Sequence, residues 1–318
     1  DAKEVLNQVC ANDVAVPAGK VVYTQWLNER GGIEADLTVT WLEADCALIV
    51  TSCTSQARDF NWLRRHIPDG AHAVLTDVTS GYAVLGIMGP RSRDLLARLT
   101  DTDLSNVAFP FLTSQEIDLA YAKVRALRVT YVGELGWELY IPAEFSTSVY
   151  DAIVAEGEAF GLKHCGHHTI SSLAIEKGYR HWGHDITDED TPLEAGLKFA
   201  VAFHKEGGFI GREALLKQKE AGVKKRLVHF ALEDPQPLLY HNEPIWRDGN
   251  LVGYIASGMF GHTMGHAIGL GYVANGGDHV TADFVKSGAY EIEVACERFA
   301  AKASLRPFYD PKSERVKM

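Results

Sequence analysis

Tyr131-Val132-Gly133-Glu134-Leu135-Gly136-Trp137-Glu138-Leu139-Tyr140 reads as two short strands joined by a glycine-bracketed turn. Gly133 and Gly136 can take positive φ at little cost, and aromatic and aliphatic residues flank them in β-like alternation. A turn centred between Glu134 and Leu135 sets Tyr131 opposite Glu138. Directly opposed residues project from the same face of a hairpin. A flat ring and an acceptor-only carboxylate then share one surface, which suits a flat heterocycle carrying adjacent N–H donors. A solvated surface pair has the same pattern, and the pattern alone leaves both readings open.

Working outward, residues 21–28 and 33–40 form a second hairpin around Glu29-Arg30-Gly31-Gly32. In its second strand Ile33, Ala35, Leu37 and Val39 alternate with Glu34, Asp36, Thr38 and Thr40, so Asp36 and Thr38 share the polar face. Further strands are expected at 46–52, 82–88, 116–119 and 125–130. Helical spacing covers 2–9, 55–66, 92–99, 145–161, 169–182 and 212–220. Beyond that the pattern turns to β, with strands at 226–232, 243–247, 251–257, 267–272, 280–284, 291–296 and 300–305. Asp248-Gly249 is a strong hairpin turn. The expected class is α+β with two domains: 1–222, and a small antiparallel barrel over 223–318.

The 318 residues suffice for two cores. Lys and Arg number 31 against 42 Asp and Glu, a net charge of −11, which supplies no basic footprint for nucleic acid or an anionic membrane. No apolar run approaches the roughly 20 residues that span a bilayer. The 5 cysteines are scattered, without a Cys-x-x-Cys pair, which fits a reducing compartment. A start at Asp1 without a leader pattern reads as a piece of a longer polypeptide.

Metal sites usually show paired ligands at two separated spacings, and His164-Cys165-Gly166-His167-His168 has no second cluster to match it. His262 and His266 are flanked by Gly261 and Gly265, which argue for a loop. No phosphate-cradling loop or nucleophile elbow occurs in a fitting context. What remains is a set of carboxylates, aromatics and one cation: Tyr23, Asp36, Tyr131, Glu138, Glu176, Arg180 and Trp182.

The segment Tyr131–Glu138 resembles a signature of the aminomethyltransferase (glycine-cleavage T-protein) superfamily. Three further blocks resemble that family in the right order: Tyr23 through Asp36, Thr191-Pro192-Leu193-Glu194-Ala195-Gly196-Leu197, and Phe209-Ile210-Gly211-Arg212-Glu213-Ala214-Leu215. Ile175 through Trp182, Asp283 through Gly288 and Pro307-Phe308-Tyr309-Asp310-Pro311 are similar to the sarcosine and dimethylglycine dehydrogenase subgroup. The resemblance implies β-rich units around a central folate channel, the last being a C-terminal barrel. It implies tetrahydrofolate as cofactor, Asp36 as the catalytic residue, and Tyr23, Thr38, Tyr131, Glu138, Arg180 and Trp182 as cofactor-binding. It further implies a preceding FAD-bearing half, a small amine substrate, and a mitochondrial matrix or bacterial cytoplasm. The chain would then be the one-carbon acceptor half of a sarcosine-oxidising flavoenzyme. The alternatives are a free-standing T-protein and a non-catalytic folate-binding module. Two departures stand out: the family's folate unit begins upstream of Asp1, and Ala174 occupies a position where T-proteins carry Arg.

Overall fold

The computed structural model describes residues 1–318. The chain opens with helix α1 (Ala2–Val9). Strands β1 (Val21–Leu27), β2 (Ile33–Trp41) and β3 (Ala47–Val50) then form an antiparallel sheet in that order. Its apolar face carries Trp26, Ala35, Leu37 and Val39 into a core with Leu6, Val9 and Trp62, the last from α2 (Gln56–Arg65). The alternation expected for 33–40 is what forms, with Ala35, Leu37 and Val39 buried and Asp36 and Thr38 part-exposed.

The second unit comprises β4 (Tyr82–Met88), α3 (Ser92–Leu96), β5 (Ser114–Leu119), β6 (Ala122–Leu127), β7 (Gly136–Pro142) and α4 (Ser146–Gly157). Its sheet order is β4-β7-β6-β5. Trp137, Leu139 and Ile141 enter its core. Helix α5 (His167–Glu176) and a long connection lead to α6 (Arg212–Ala221). Strands β8 (Lys225–Leu232), β9 (Pro244–Arg247), β10 (Asn250–Gly261), β11 (His266–Ala274), β12 (Tyr290–Val294) and β13 (Glu297–Ser304) then close a barrel, interrupted by α7 (Ala282–Ser287). Asp248 (φ 49°) and Gly249 (φ 81°) make the expected tight turn between β9 and β10.

Three local expectations fail for identifiable reasons. The hairpin of 131–140 does not form: Glu138 pairs with Leu127 on β6 and Gly86 on β4, and Tyr131 lies in the connection before β7. Gly136 is not a turn glycine. A Cβ there would fall 2.2 Å from Met88 Sδ and 2.5 Å from Ile87 O, so glycine permits the close approach of β4. Residues 280–284 begin a helix, because Thr281 caps it by accepting from the Phe284 amide at 3.1 Å. Helix α5 stops at Glu176, short of Trp182, because Gly178 takes φ 64°.

Candidate active site

The first wall is the polar face of the first sheet. The register sets Tyr23 opposite Thr38 and Gln25 opposite Asp36, so these four side chains share one surface. Gln25 Nε2 donates to Asp36 Oδ1 at 2.8 Å, while Gln25 Oε1 is buried without a partner. The Tyr23 ring stacks on Phe199 at 6.0 Å between centroids. Burial pushes the Asp36 carboxyl up to about 6, opposed in part by Gln25, Tyr23 and Arg180.

The second wall is the segment following α5. Arg180 gives Nε and Nη2 to Ala195 O at 3.1 and 2.9 Å, and Nη1 to Gly178 O. These bonds all go to backbone carbonyls, so its charge is balanced at longer range by Asp185 and Asp36. Asp185 accepts the His181 amide at 2.8 Å and the hydroxyl of Ser257 on β10. Burial holds its carboxyl above the ordinary value. Tyr131 donates its hydroxyl to Arg180 O at 3.0 Å and stacks on Tyr179 at 5.9 Å. Burial raises the Tyr131 phenol, and Asp185 and Asp36 add to the rise, so Tyr131 lies within the field of both carboxylates.

The third wall belongs to the barrel and carried no functional signal in the sequence. Residues inside the barrel on β8 are Val228, Phe230 and Leu232, so His229 points outward, towards Arg180. His229 is 1% exposed with Nδ1 unpartnered, and burial pushes it down to about 3, leaving it neutral. The Tyr272 hydroxyl on β11 is likewise buried and unpartnered. The one sequence hint is an isolated polar ring within Leu227-Val228-His229-Phe230.

Tyr23, Asp36, Thr38, Tyr131 and Arg180 are thus brought together. Glu138 stands apart, beside Tyr140, which donates to its Oε2 at 2.9 Å. The Tyr140 face of β7 packs with Val21 and Leu127 and against Leu48 and Val50, so Glu138 looks into the gap between the two sheets. Burial raises its carboxyl, and its Oε1 carries no hydrogen bond. Trp182 serves the frame: its Nε1 donates to Ile33 O at 2.8 Å, and the Arg58 guanidinium lies 3.6 Å from its ring centre. Glu176 is structural too, its Oε1 accepting the Thr263 and Met264 amides at 2.7 and 3.1 Å.

Burial is the largest influence on Tyr23, Asp36, Glu138 and Arg180, yet each keeps accessible surface. These groups are enclosed by protein but still reached by water. The site's acceptors are Asp36 and the orphaned Gln25 Oε1, with flat rings at Tyr23 and Tyr131, and Glu138 Oε1 adds a further acceptor in the gap between the sheets. That acceptor set fits a heterocycle rich in N–H groups. No group of three or more His, Cys, Asp or Glu side chains is arranged to hold a metal.

Residues 1–205 match the GCVT N-terminal domain, and residues 225–310 match the glycine cleavage T-protein C-terminal barrel domain. The chain is 41% identical over 317 residues to 4-methylaminobutanoate oxidase (formaldehyde-forming) of Paenarthrobacter nicotinovorans, covering 100% of this chain and 38% of that protein. It is 39% identical over 332 residues to mitochondrial sarcosine dehydrogenase of Mus musculus, covering 100% of this chain and 36% of that protein. The fold is similar to the crystal structure of glycine cleavage system aminomethyltransferase T from Bartonella henselae, with TM-score 0.83 and 24% identity over 97% of this chain and 81% of that one. The chain spans little more than a third of the two relatives' length.

Proposed function

The chain belongs to the glycine cleavage T-protein family, and from that premise we propose that it is the tetrahydrofolate-dependent one-carbon acceptor unit of a flavin-linked, sarcosine-type dehydrogenase. The observation that carries this reading is Asp36, an accessible carboxylate raised to about 6 by its enclosure and set between Gln25 and the field of Arg180. Above pH 6 it is ionised yet poorly solvated. It can accept a proton or stabilise a developing cation, roles typically worth roughly 10²–10⁴-fold.

Bound folate would supply the nucleophilic nitrogen that takes up the one-carbon unit. Gln25 Oε1 and Glu138 Oε1 offer acceptors for its ring N–H and amino groups, and Tyr131 offers a stacking face. Holding the reactants together at one site would contribute several kcal/mol by proximity. Oxidation of the small amine falls to a flavin-bearing portion of the same polypeptide, outside these 318 residues. We place the division between folate core and barrel at 222–223, and the protein in a mitochondrial matrix or bacterial cytoplasm.

The test is product partition, which one relative's formaldehyde-forming name makes decisive. In the enzyme carrying its flavin portion, Asp36→Asn should leave folate affinity within about threefold. Formaldehyde should then replace methylenetetrahydrofolate as the product. An unchanged partition refutes the role of Asp36. A free-standing T-protein would instead turn over an aminomethyl group presented on a lipoyl carrier.

A further inference from the structure

Tyr131 is held by no strand. It lies in the connection between β6 and β7, where Tyr131–Leu135 form consecutive bends. A ring that packs beside a ligand needs fixed geometry, and here much of the fixing comes from the far end of the sequence. Glu134 Oε1 accepts the hydroxyl of Tyr309, and Arg315 Nη1 lies 3.8 Å from Glu134 Oε2. Lys177, one residue past α5, packs on Gly133, where a Cβ would fall 2.9 Å from its Cγ. Its ammonium reaches Asp310 Oδ2 at 3.0 Å, a pair whose side chains are 2% and 8% exposed. Arg128, at the start of the connection and 1% exposed, donates to Phe109 O at 2.7 Å and Met318 O at 3.0 Å.

Tyr309–Met318 also builds its own rigidity. Asp310 sits at φ 42°, and its carboxylate accepts the amides of Glu314 at 2.9 Å and Arg315 at 3.3 Å. Val316 is 2% exposed, and Arg93 Nη2 donates to Met318 O at 2.6 Å. The segment therefore touches the Tyr131 connection near its start, through Arg128, and near its end, through Glu134. Through Lys177 it also grips the turn leading to Tyr179 and Arg180, the two residues Tyr131 leans on.

We infer that Tyr309–Met318 is a strap that positions the Tyr131 ring, with Tyr309 and Asp310 as positioning residues for the site. This rests on the folate reading above only for what the ring then does. It gives the motif Pro307-Phe308-Tyr309-Asp310-Pro311 a task that the acceptor chemistry left unexplained.

The test is run on the whole chain with Tyr309→Phe and Asp310→Asn, the first removing only a hydroxyl. Amide hydrogen exchange at 130–135 should accelerate at least tenfold in each, while amides of β8 and β11 stay unchanged. Affinity for tetrahydrofolate, read by calorimetry, should fall at least fivefold in each. Tyr131→Phe should cost clearly less in the Asp310→Asn background than alone, because both changes act through one ring. Exchange at 130–135 that is unchanged, or faster only together with the barrel, overturns the strap. Additive losses overturn its action through Tyr131. Wild-type protein without folate affinity refutes the acceptor reading instead, and the exchange arm still decides on the strap.

Discussion

Asp36→Asn should make the protein more stable while disabling it. Burial raises the Asp36 carboxyl from 3.8 to about 6. Two units correspond to roughly 3 kcal/mol opposing the charged form. Asn keeps the shape and still accepts from Gln25 Nε2, so the substitution removes the charge without opening a cavity. Asp36 keeps some accessible surface, and solvent screening reduces the gain, so the expected stabilisation at pH 7 is about 1–3 kcal/mol.

The sign of the pH dependence follows from the direction of the shift. The folded state binds the Asp36 proton more tightly than the unfolded chain, so this group's stabilisation is complete below about 3.8. It is lost as pH rises through about 6. Wild-type stability should therefore decline between those values relative to Asp36→Asn, and the gap should be flat above pH 7. Urea midpoints of both proteins at half-unit steps from pH 4.5 to 8 measure this. Asp185 and Glu138 are raised as well, but they are common to both proteins and cancel in the difference. A mutant less stable than wild type at pH 7, or a gap that ignores pH, would refute the reasoning. The pattern expected is a charge kept at a cost in stability because the reaction uses it.

Glu138→Ala should weaken folate binding at least tenfold by calorimetry, since a charge-assisted bond is worth about 1.5–3 kcal/mol. Gly178→Ala should abolish soluble expression or cost more than about 3 kcal/mol, because its Cβ would lie 1.9 Å from His229 Cε1. Gly183→Ala, at φ 90° with nothing near its Cβ, should cost only about 1 kcal/mol, both glycine variants being read by thermal melt. Lys205 donates to the carbonyls of Asn7, Cys10 and Asn12 at the end of α1, and burial lowers it to about 8. Lys205→Met strands those acceptors and should lower the urea midpoint by the equivalent of about 2–3 kcal/mol.

What the sequence made legible was local periodicity. Asp36 and Thr38 were assigned to a face because period-2 alternation in β2 is decided by neighbours along the chain and across one hairpin. The pairing of Tyr131 with Glu138 failed because strand register depends on which strands close the sheet. Here β4, distant in sequence, and β6, the strand just before the connection, claim both edges of β7. Gly136 looked like a turn residue, but its reason for lacking a side chain is contact with Met88. The barrel residues Ser257, Tyr272 and His229 gave no readable functional signal, because outward-facing strand positions commonly meet solvent. Here they meet Asp185 and the surroundings of Arg180.

That placement changes what the barrel does for the chemistry. Only Arg180 brings a fixed positive charge among Tyr23, Asp36, Tyr131, Asp185, Tyr272 and His229. Its charge faces two carboxylates, Asp36 and Asp185. A protonated imidazole on β8 would cancel the excess of negative charge. His229, enclosed by the barrel wall and lying near Arg180, stays neutral down to about pH 3. Arg180 thus meets two carboxylates in a poorly solvated space, an arrangement that would favour a cation forming at the reacting atoms. Protonating Asp36 removes one of those negative charges, so the one-carbon capture proposed above should lose electrostatic support below about pH 6. His229 thus gives the barrel wall beside Arg180 a position that adds no positive charge.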